Sequence, residues 1–255
     1  MLIVALNNYK ERKMIPGLYT TVAGMINQQT MLEVITNNLA NVNTVGYKRD
    51  NLNFSGMFNL LPDQTGTYTL LNLDNVSSKF LTDFSSGDIK PTDNKLDLAI
   101  NGDGFFVIQN KNGTQYTRSG NFTLDNSGQL VTSDGYPVMG TNGTIQIQGG
   151  IPEIDNSGQV IVNGTIIAKL KIVDFQKPYQ LTKAGYNTFS NNSQAEQNST
   201  AQVKQGCLEM SNANPIHEMV KMIETMRVYE SYQKTIQLFN DTLEKANAEL
   251  GKISA

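Results

Sequence analysis

Near its C-terminal end the chain carries apolar residues on a seven-residue repeat: Met222, Tyr229, Ile236, Leu243 and Leu250, flanked by Met219, Ile223, Met226 and Phe239. A row with that spacing lies along one face of an α-helix and needs a partner helix to cover it. Local chemistry agrees. Asn214 can cap the first turn with Pro215 at its first position, Glu230 and Lys234 stand one turn apart, and Gly251 supplies a stop. A helix from Pro215 to Leu250 is about 54 Å long at about 1.5 Å per residue, too long to remain solvated alone. Val220, Val228, Tyr232 and Leu238 fall off the main row, so the apolar surface asks for more than one neighbour.

A second row, Leu18, Met25, Leu32 and Leu39, repeats every seven residues near the N-terminal end, with Val22, Ile35 and Val42 beside it. It predicts an amphipathic helix ending near Asn43 or Gly46. This helix can cover part of the C-terminal one. Other copies of the same chain are the natural source of the remaining cover, which also suits a hydrophobic content of 39%, lean for a self-contained globule of 255 residues.

Between these helices the texture changes. Short β-type runs alternate with Gly, Asn, Asp and Ser turns, the pattern of antiparallel strands. Phe105 to Ile108, Gly128 to Thr132, Thr144 to Gln148 and Val160 to Phe175 are the candidate strands; in the last, Ala168, Leu170 and Ile172 alternate with Lys169 and Lys171. A short repeat, Asp-Asn-Ser-Gly-Gln at 125–129 and again at 155–159, reads as a hairpin turn feeding a strand each time. The expected fold class is therefore α+β: terminal helices pairing as a coiled coil, with a central antiparallel β-rich domain. The expected division is an extension or misassigned start over 1–13, the N-terminal helix over 14–46, a polar connector over 47–79, the β-rich domain over 80–189, a second connector over 190–210 and the C-terminal helix over 211–255.

The composition argues against several functions. The formal charge is −3 and the 20 Lys and Arg residues are scattered singly, so there is no basic track for a nucleic acid. One cysteine, Cys207, rules out an intrachain disulfide framework, and one histidine, His217, would have to build any triad or zinc site alone. Asp125 and Asp155 sit in turns that do not match a calcium loop. Asn101-Gly102-Asp103-Gly104 lacks the lysine of a phosphate loop. Carboxylate pairs suffice for glycoside hydrolysis, but nothing marks one pair among the acidic residues. No cofactor, metal or small-molecule substrate is expected, and the chain reads as a non-enzyme. The apolar run Leu2 to Leu6 is too short for a signal peptide, and no run approaches a spanning helix.

Three stretches carry a resemblance. Asn37-Asn38-Leu39-Ala40-Asn41-Val42-Asn43-Thr44 followed by Gly46-Tyr47-Lys48 resembles the N-terminal signature of bacterial flagellar rod and hook proteins. Leu96 to Phe106, with Asp103, Gly104, Phe105 and Phe106 at its end, continues to Tyr116-Thr117-Arg118-Ser119-Gly120-Asn121-Phe122 and is similar to the family's central motif. Leu208-Glu209-Met210-Ser211-Asn212, with Glu218-Met219-Val220 and Arg227-Val228-Tyr229-Glu230, looks like its C-terminal motif. The resemblance implies a structural subunit of the basal-body rod, polymerising through its terminal helices into the axial tube that transmits torque from motor to hook. Its implied partners are further copies of itself, neighbouring rod and hook proteins, and the flagellar type III export apparatus, which uses no cleaved signal. The length implies a rod subunit, distal or proximal, and the short polar connector Leu60 to Lys79 leans towards the proximal type. Family members begin near the equivalent of Met14, which is why residues 1–13 read as an extension. The alternatives from other classes are a secreted β-rich adhesin on a helical stalk and a cell-wall hydrolase.

Overall fold

A computed structural model describes residues 2–54 and 78–253, apart from 112, 186 and 192. The fold is α+β, with one long helix at each end and antiparallel strands between them. Most of the connector expected over 47–79 lies outside the described residues. The chain divides into two compact units: Met1–Leu39, Asp50–Leu81 and Pro215–Ala255 form the first, Ala40–Arg49 and Thr82–Asn214 the second.

In the first unit, helix α1 runs Leu2–Ala40 and helix α2 runs Pro215–Ile253, 39 residues each. Helix α1 is continuous back through the segment read as an extension. Helix α2 passes Gly251 by two residues; an interior glycine costs about 1 kcal/mol, which a helix of this length absorbs. The helices touch in antiparallel sense. Phe239 lies against Gly17 and Tyr232 against Gly24, so that going from 17 to 24 on one helix corresponds to going from 239 to 232 on the other. A Cβ added at Gly24 would sit 2.7 Å from the Tyr232 Cζ, so the ring occupies the space that a side chain would need. Farther along α1, the buried Asn38 amide grips the start of the strand Asp50–Phe54: its Nδ2 donates to the Asp50 carbonyl at 2.8 Å and its Oδ1 accepts from the Asp50 N–H at 3.0 Å. A small cavity nearby is lined by Met31, Ile35 and Asn38 of α1, Asp50 and Leu52 of the strand, and Glu218 of α2.

The second unit is built on a six-stranded antiparallel sheet, in the order Leu181–Gly185, Thr188–Asn191, Gly113–Thr117, Phe105–Asn110, Ile172–Asp174, Gln197–Asn198. Successive side chains of a strand point to opposite faces, and here both faces of Phe105–Asn110 are covered. Phe105 and Val107 enter an aromatic cluster with Tyr116, Phe175 and Phe189, while Phe106 and Ile108 enter a largely aliphatic one with Leu98, Ile100 and Leu130. Edge-to-face ring pairs such as Phe106–Phe122, 5.1 Å between centroids, each add about 0.5–1.5 kcal/mol to the burial.

The repeated turn folds the same way twice. Asp125 Oδ1 accepts the N–H groups of Ser127 and Gln129, both at 2.8 Å, and Asp155 Oδ1 accepts those of Ser157 and Gln159 at 2.9 and 2.8 Å. The two turns feed the strands Leu130–Thr132 and Gln159–Val162. The stretch Val160 to Phe175, read above as one strand, is divided: Gln159–Val162 turns at Asn163-Gly164, a strong hairpin dipeptide, into Thr165–Lys169, and Ile172–Asp174 then joins the large sheet. Residues 190–210, read as a connector, include strands Gln202–Gln205 and Cys207–Glu209, which pair with Leu98–Asn101 and Ile89–Pro91. Within Gln202–Gln205 Val203 alone is fully buried, too thin an apolar signal to be seen against Gln and Lys neighbours.

Candidate functional site

The predicted helix-packing residues fall into two groups. On α1, Leu18, Val22, Met25, Leu32 and Leu39 are half-buried, as are Met222, Tyr229 and Ile236 on α2. The glycines that receive Phe239 and Tyr232 lie one position before Leu18 and Met25, so the α1 row flanks the helix contact. On α2, by contrast, Met219, Ile223 and Met226 are 46, 54 and 47% exposed, together with Ile216, Val220 and Leu243. Ile216, Met219, Ile223 and Met226 follow spacings of three and four residues and therefore lie along one side of α2. The side chain of Leu250 lies outside the described residues. His217 is exposed on the first turn of α2, and Cys207 is a half-buried free thiol in its strand.

Residues from all three motifs converge elsewhere, in the second unit. Gly46 sits in a left-handed conformation, φ 66°, where its N–H donates to the Glu209 carbonyl at 2.7 Å. A Cβ there would lie 2.4 Å from the Ser119 nitrogen and 2.5 Å from the Arg118 carbonyl carbon. Two residues on, Lys48 is wholly buried and its Nζ meets Glu209 Oε1 at 2.5 Å. The other carboxylate oxygen of Glu209 accepts from Arg118 Nη1 at 3.2 Å, and Arg118 also donates to the carbonyls of Ile100 and Gly102. All three charged side chains are at most 2% exposed. One buried anion thus neutralises one of two buried cations. Burial pulls the Lys48 ammonium below its ordinary pKa, and Glu209 opposes that pull.

Other motif residues have plainer duties. Phe105 and Phe106 are core, and Gly104 leaves room for Ser199, whose Oγ donates to the Asp103 carbonyl. Asp103 itself makes an exposed ion pair with Lys177 at 2.7 Å. Asn41 accepts from the Thr44 hydroxyl, and Ser211 Oγ accepts from the Ala213 N–H. Asn37 and Ala40 are exposed on the last turns of α1.

Three family models match in chain order: flagella basal body rod protein over 18–48, flagellar hook protein FlgE/F/G D1 domain over 99–168, and flagellar basal body rod FlgEFG protein C-terminal over 204–249. The flagellar basal-body rod protein FlgG of Bacillus subtilis is 36% identical, over 91% of this chain and 98% of that protein. The chain belongs to the flagellar basal-body rod protein family. A second rod relative, FlgF of Caulobacter vibrioides, is 33% identical over 93% of this chain and 99% of its own length. The flagellar hook protein FlgE of Brucella abortus is 40% identical over a shorter stretch, 48% of this chain. The adhesin alternative finds no support among these relatives. In this rod-family chain each of the three matched segments contributes one member of the buried cluster: Lys48, Arg118 and Glu209. Sequence reasoning quoted all three inside motifs and gave none of them a role, because 70 and 91 residues separate Arg118 from Lys48 and Glu209 in the chain. The available signal was one charged residue in each motif: Lys48 beside Tyr47, Arg118 two residues after Tyr116, and Glu209 beside Leu208.

Proposed function

We propose that this chain is a structural subunit of the flagellar basal-body rod that polymerises through α1 and α2, the two helices pairing as a coiled coil and packing against those of neighbouring copies. The observation that carries this is the exposed stripe Met219, Ile223 and Met226 on α2. Fully burying one such side chain is worth about 1.5–3 kcal/mol, so a stripe of this kind favours association with another apolar helix face. Contacts between unlike faces that do not close into a ring build a helical tube, and the half-buried row Leu18, Met25, Leu32 and Leu39 offers α2 of another copy a matching seven-residue face. Rod and hook proteins are its axial neighbours, and the type III apparatus exports it without a cleaved signal; the family membership supports both statements. Substituting Ile223→Asp tests the stripe. The expected result is a chain that keeps its folded circular dichroism spectrum but no longer enters rods, leaving cells non-motile. Rods of ordinary composition built from that variant would refute the assignment.

A further inference from the structure

The chain passes between its two units four times, after Leu39, Arg49, Leu81 and Asn214. On the side of the second unit, three of these crossings run into one network. The Arg49 N–H donates to Asn212 Oδ1 at 2.8 Å, and the Arg49 carbonyl accepts from the Asp83 N–H at 2.9 Å. Asn212 Nδ2 reaches the carbonyls of Asp83 and Ser85 at 2.8 and 3.1 Å, and the Arg49 guanidinium holds the Asp83 carboxylate at 2.9 Å. Segments that begin at residues 46, 83 and 209 are thereby tied together beside the three crossings.

The buried charges sit at the centre of this network. Glu209 Oε1 accepts from Lys48 Nζ and from the Gly87 N–H at 3.0 Å, Lys48 Nζ donates a second bond to the Ser85 carbonyl at 2.7 Å, and Glu209 Oε2 accepts from Arg118. Each of the three segments thus bonds directly to the Lys48–Glu209 pair, and Arg118 anchors the pair to the strand Leu98–Asn101 through Ile100. Arg118 also touches an apolar core, its guanidinium carbon 5.4 Å from the centroid of the Phe105 ring. A buried carboxylate between two cations holds its surroundings only while its charge is present, since without it two unscreened cations share one dry site.

We propose that the Lys48–Glu209–Arg118 cluster is a latch: it fastens the segments by which the chain leaves the β-rich unit, and opening it frees those segments while both apolar cores stay folded. The consequence for function rests on the polymerisation reading above. With the helices held by neighbouring copies, a pull on them travels into the β-rich unit along the chain crossings, and the latch sets how stiffly it arrives at three of the four. The latch itself can be tested on the unassembled chain, which separates it from that reading.

The test is amide hydrogen exchange on the purified full-length chain carrying Glu209→Gln. The amides of Gly46, Arg49, Gly87 and Asn212 are expected to exchange at least about tenfold faster, while those of the strand Phe105–Asn110 and of Leu130 keep their wild-type rates. Equal acceleration at Phe106 and Leu130 would overturn the proposal, because the cluster would then belong to the global folding unit. Unchanged exchange at Gly46, Arg49 and Gly87 would overturn it as well. Should Glu209→Gln fail to fold, Asn212→Ala carries the same test, since Asn212 ties the same segments without bearing a charge.

Discussion

Replacing Gly46 by alanine strikes the point where the three family motifs meet, and its cost can be worked out from the structure. Gly46 has φ 66°, a left-handed conformation that costs an alanine about 1–2 kcal/mol. The new methyl would stand 2.4 Å from the Ser119 nitrogen and 2.5 Å from the Arg118 carbonyl carbon. Both are backbone atoms, so no rotamer change relieves the overlap, and the crowding adds about 1–3 kcal/mol. The movement that relieves it draws the Gly46 N–H away from the Glu209 carbonyl, now at 2.7 Å, for about 1 kcal/mol more. The expected total is about 3–6 kcal/mol. For a domain of this size that lowers Tm by roughly 6–24 °C. Gly135→Ala is the internal control. Its φ is 83° and no atom lies within 4 Å of the added Cβ, so only the conformational cost applies, roughly 2–8 °C. Differential scanning calorimetry of the two full-length variants gives the comparison. Equal shifts would refute the close approach of Gly46 to Arg118 and Ser119 as the source of the constraint.

Two further outcomes are expected. Hydrogen bonds from Ser85 and the Arg49 guanidinium hold the Asp83 carboxyl below its ordinary pKa despite the opposing effect of burial; Asp155, bonded by Gln159 and Ser157, and Glu196, bonded by Lys171 and Tyr116, are lowered against burial in the same way. The folded state therefore binds fewer protons than the unfolded one, the stabilisation is present above the ordinary carboxylate range, and the urea midpoint should fall as pH drops from about 5 to about 3; a flat midpoint across that window would contradict the assigned bonds. Gly24→Leu should push Tyr232 out of the helix contact, accelerating tryptic cleavage at Lys234 while the melting of the β-rich unit stays unchanged, and an unaltered cleavage rate would argue against the Tyr232 packing.

The terminal helices were legible because large apolar residues repeat every seven positions and because Asn214 and Pro215 mark the start of α2. What the repeat could not disclose is which line along α1 forms the contact. A search for apolar side chains follows Leu18 and Met25, whereas the rings of α2 enter beside them, at Gly17 and Gly24, where the absence of a side chain is the feature that matters. The strand Phe105–Asn110 was visible as a run of four large apolar residues, and the two Asp-Asn-Ser-Gly-Gln turns by their repetition. The strand Gln202–Gln205 was hidden, because an edge position paired to Leu98–Asn101 needs only Val203 to be apolar. The charge cluster was hidden for a different reason. A buried ion pair is a statement about tertiary neighbours, and Lys48, Arg118 and Glu209 each look in sequence like any solvated charge until the motifs are brought together.

The antiparallel sense of the helix pair also brings the start of α1 and the end of α2 to one side of the pair. With Gly17 beside Phe239 and Gly24 beside Tyr232, the residues before Gly17 on α1 and those after Phe239 on α2 point out of the same end of the pair. A tag or fluorophore attached near the start of α1 or near the end of α2 would crowd that one end, so moving it from one helix to the other offers no relief.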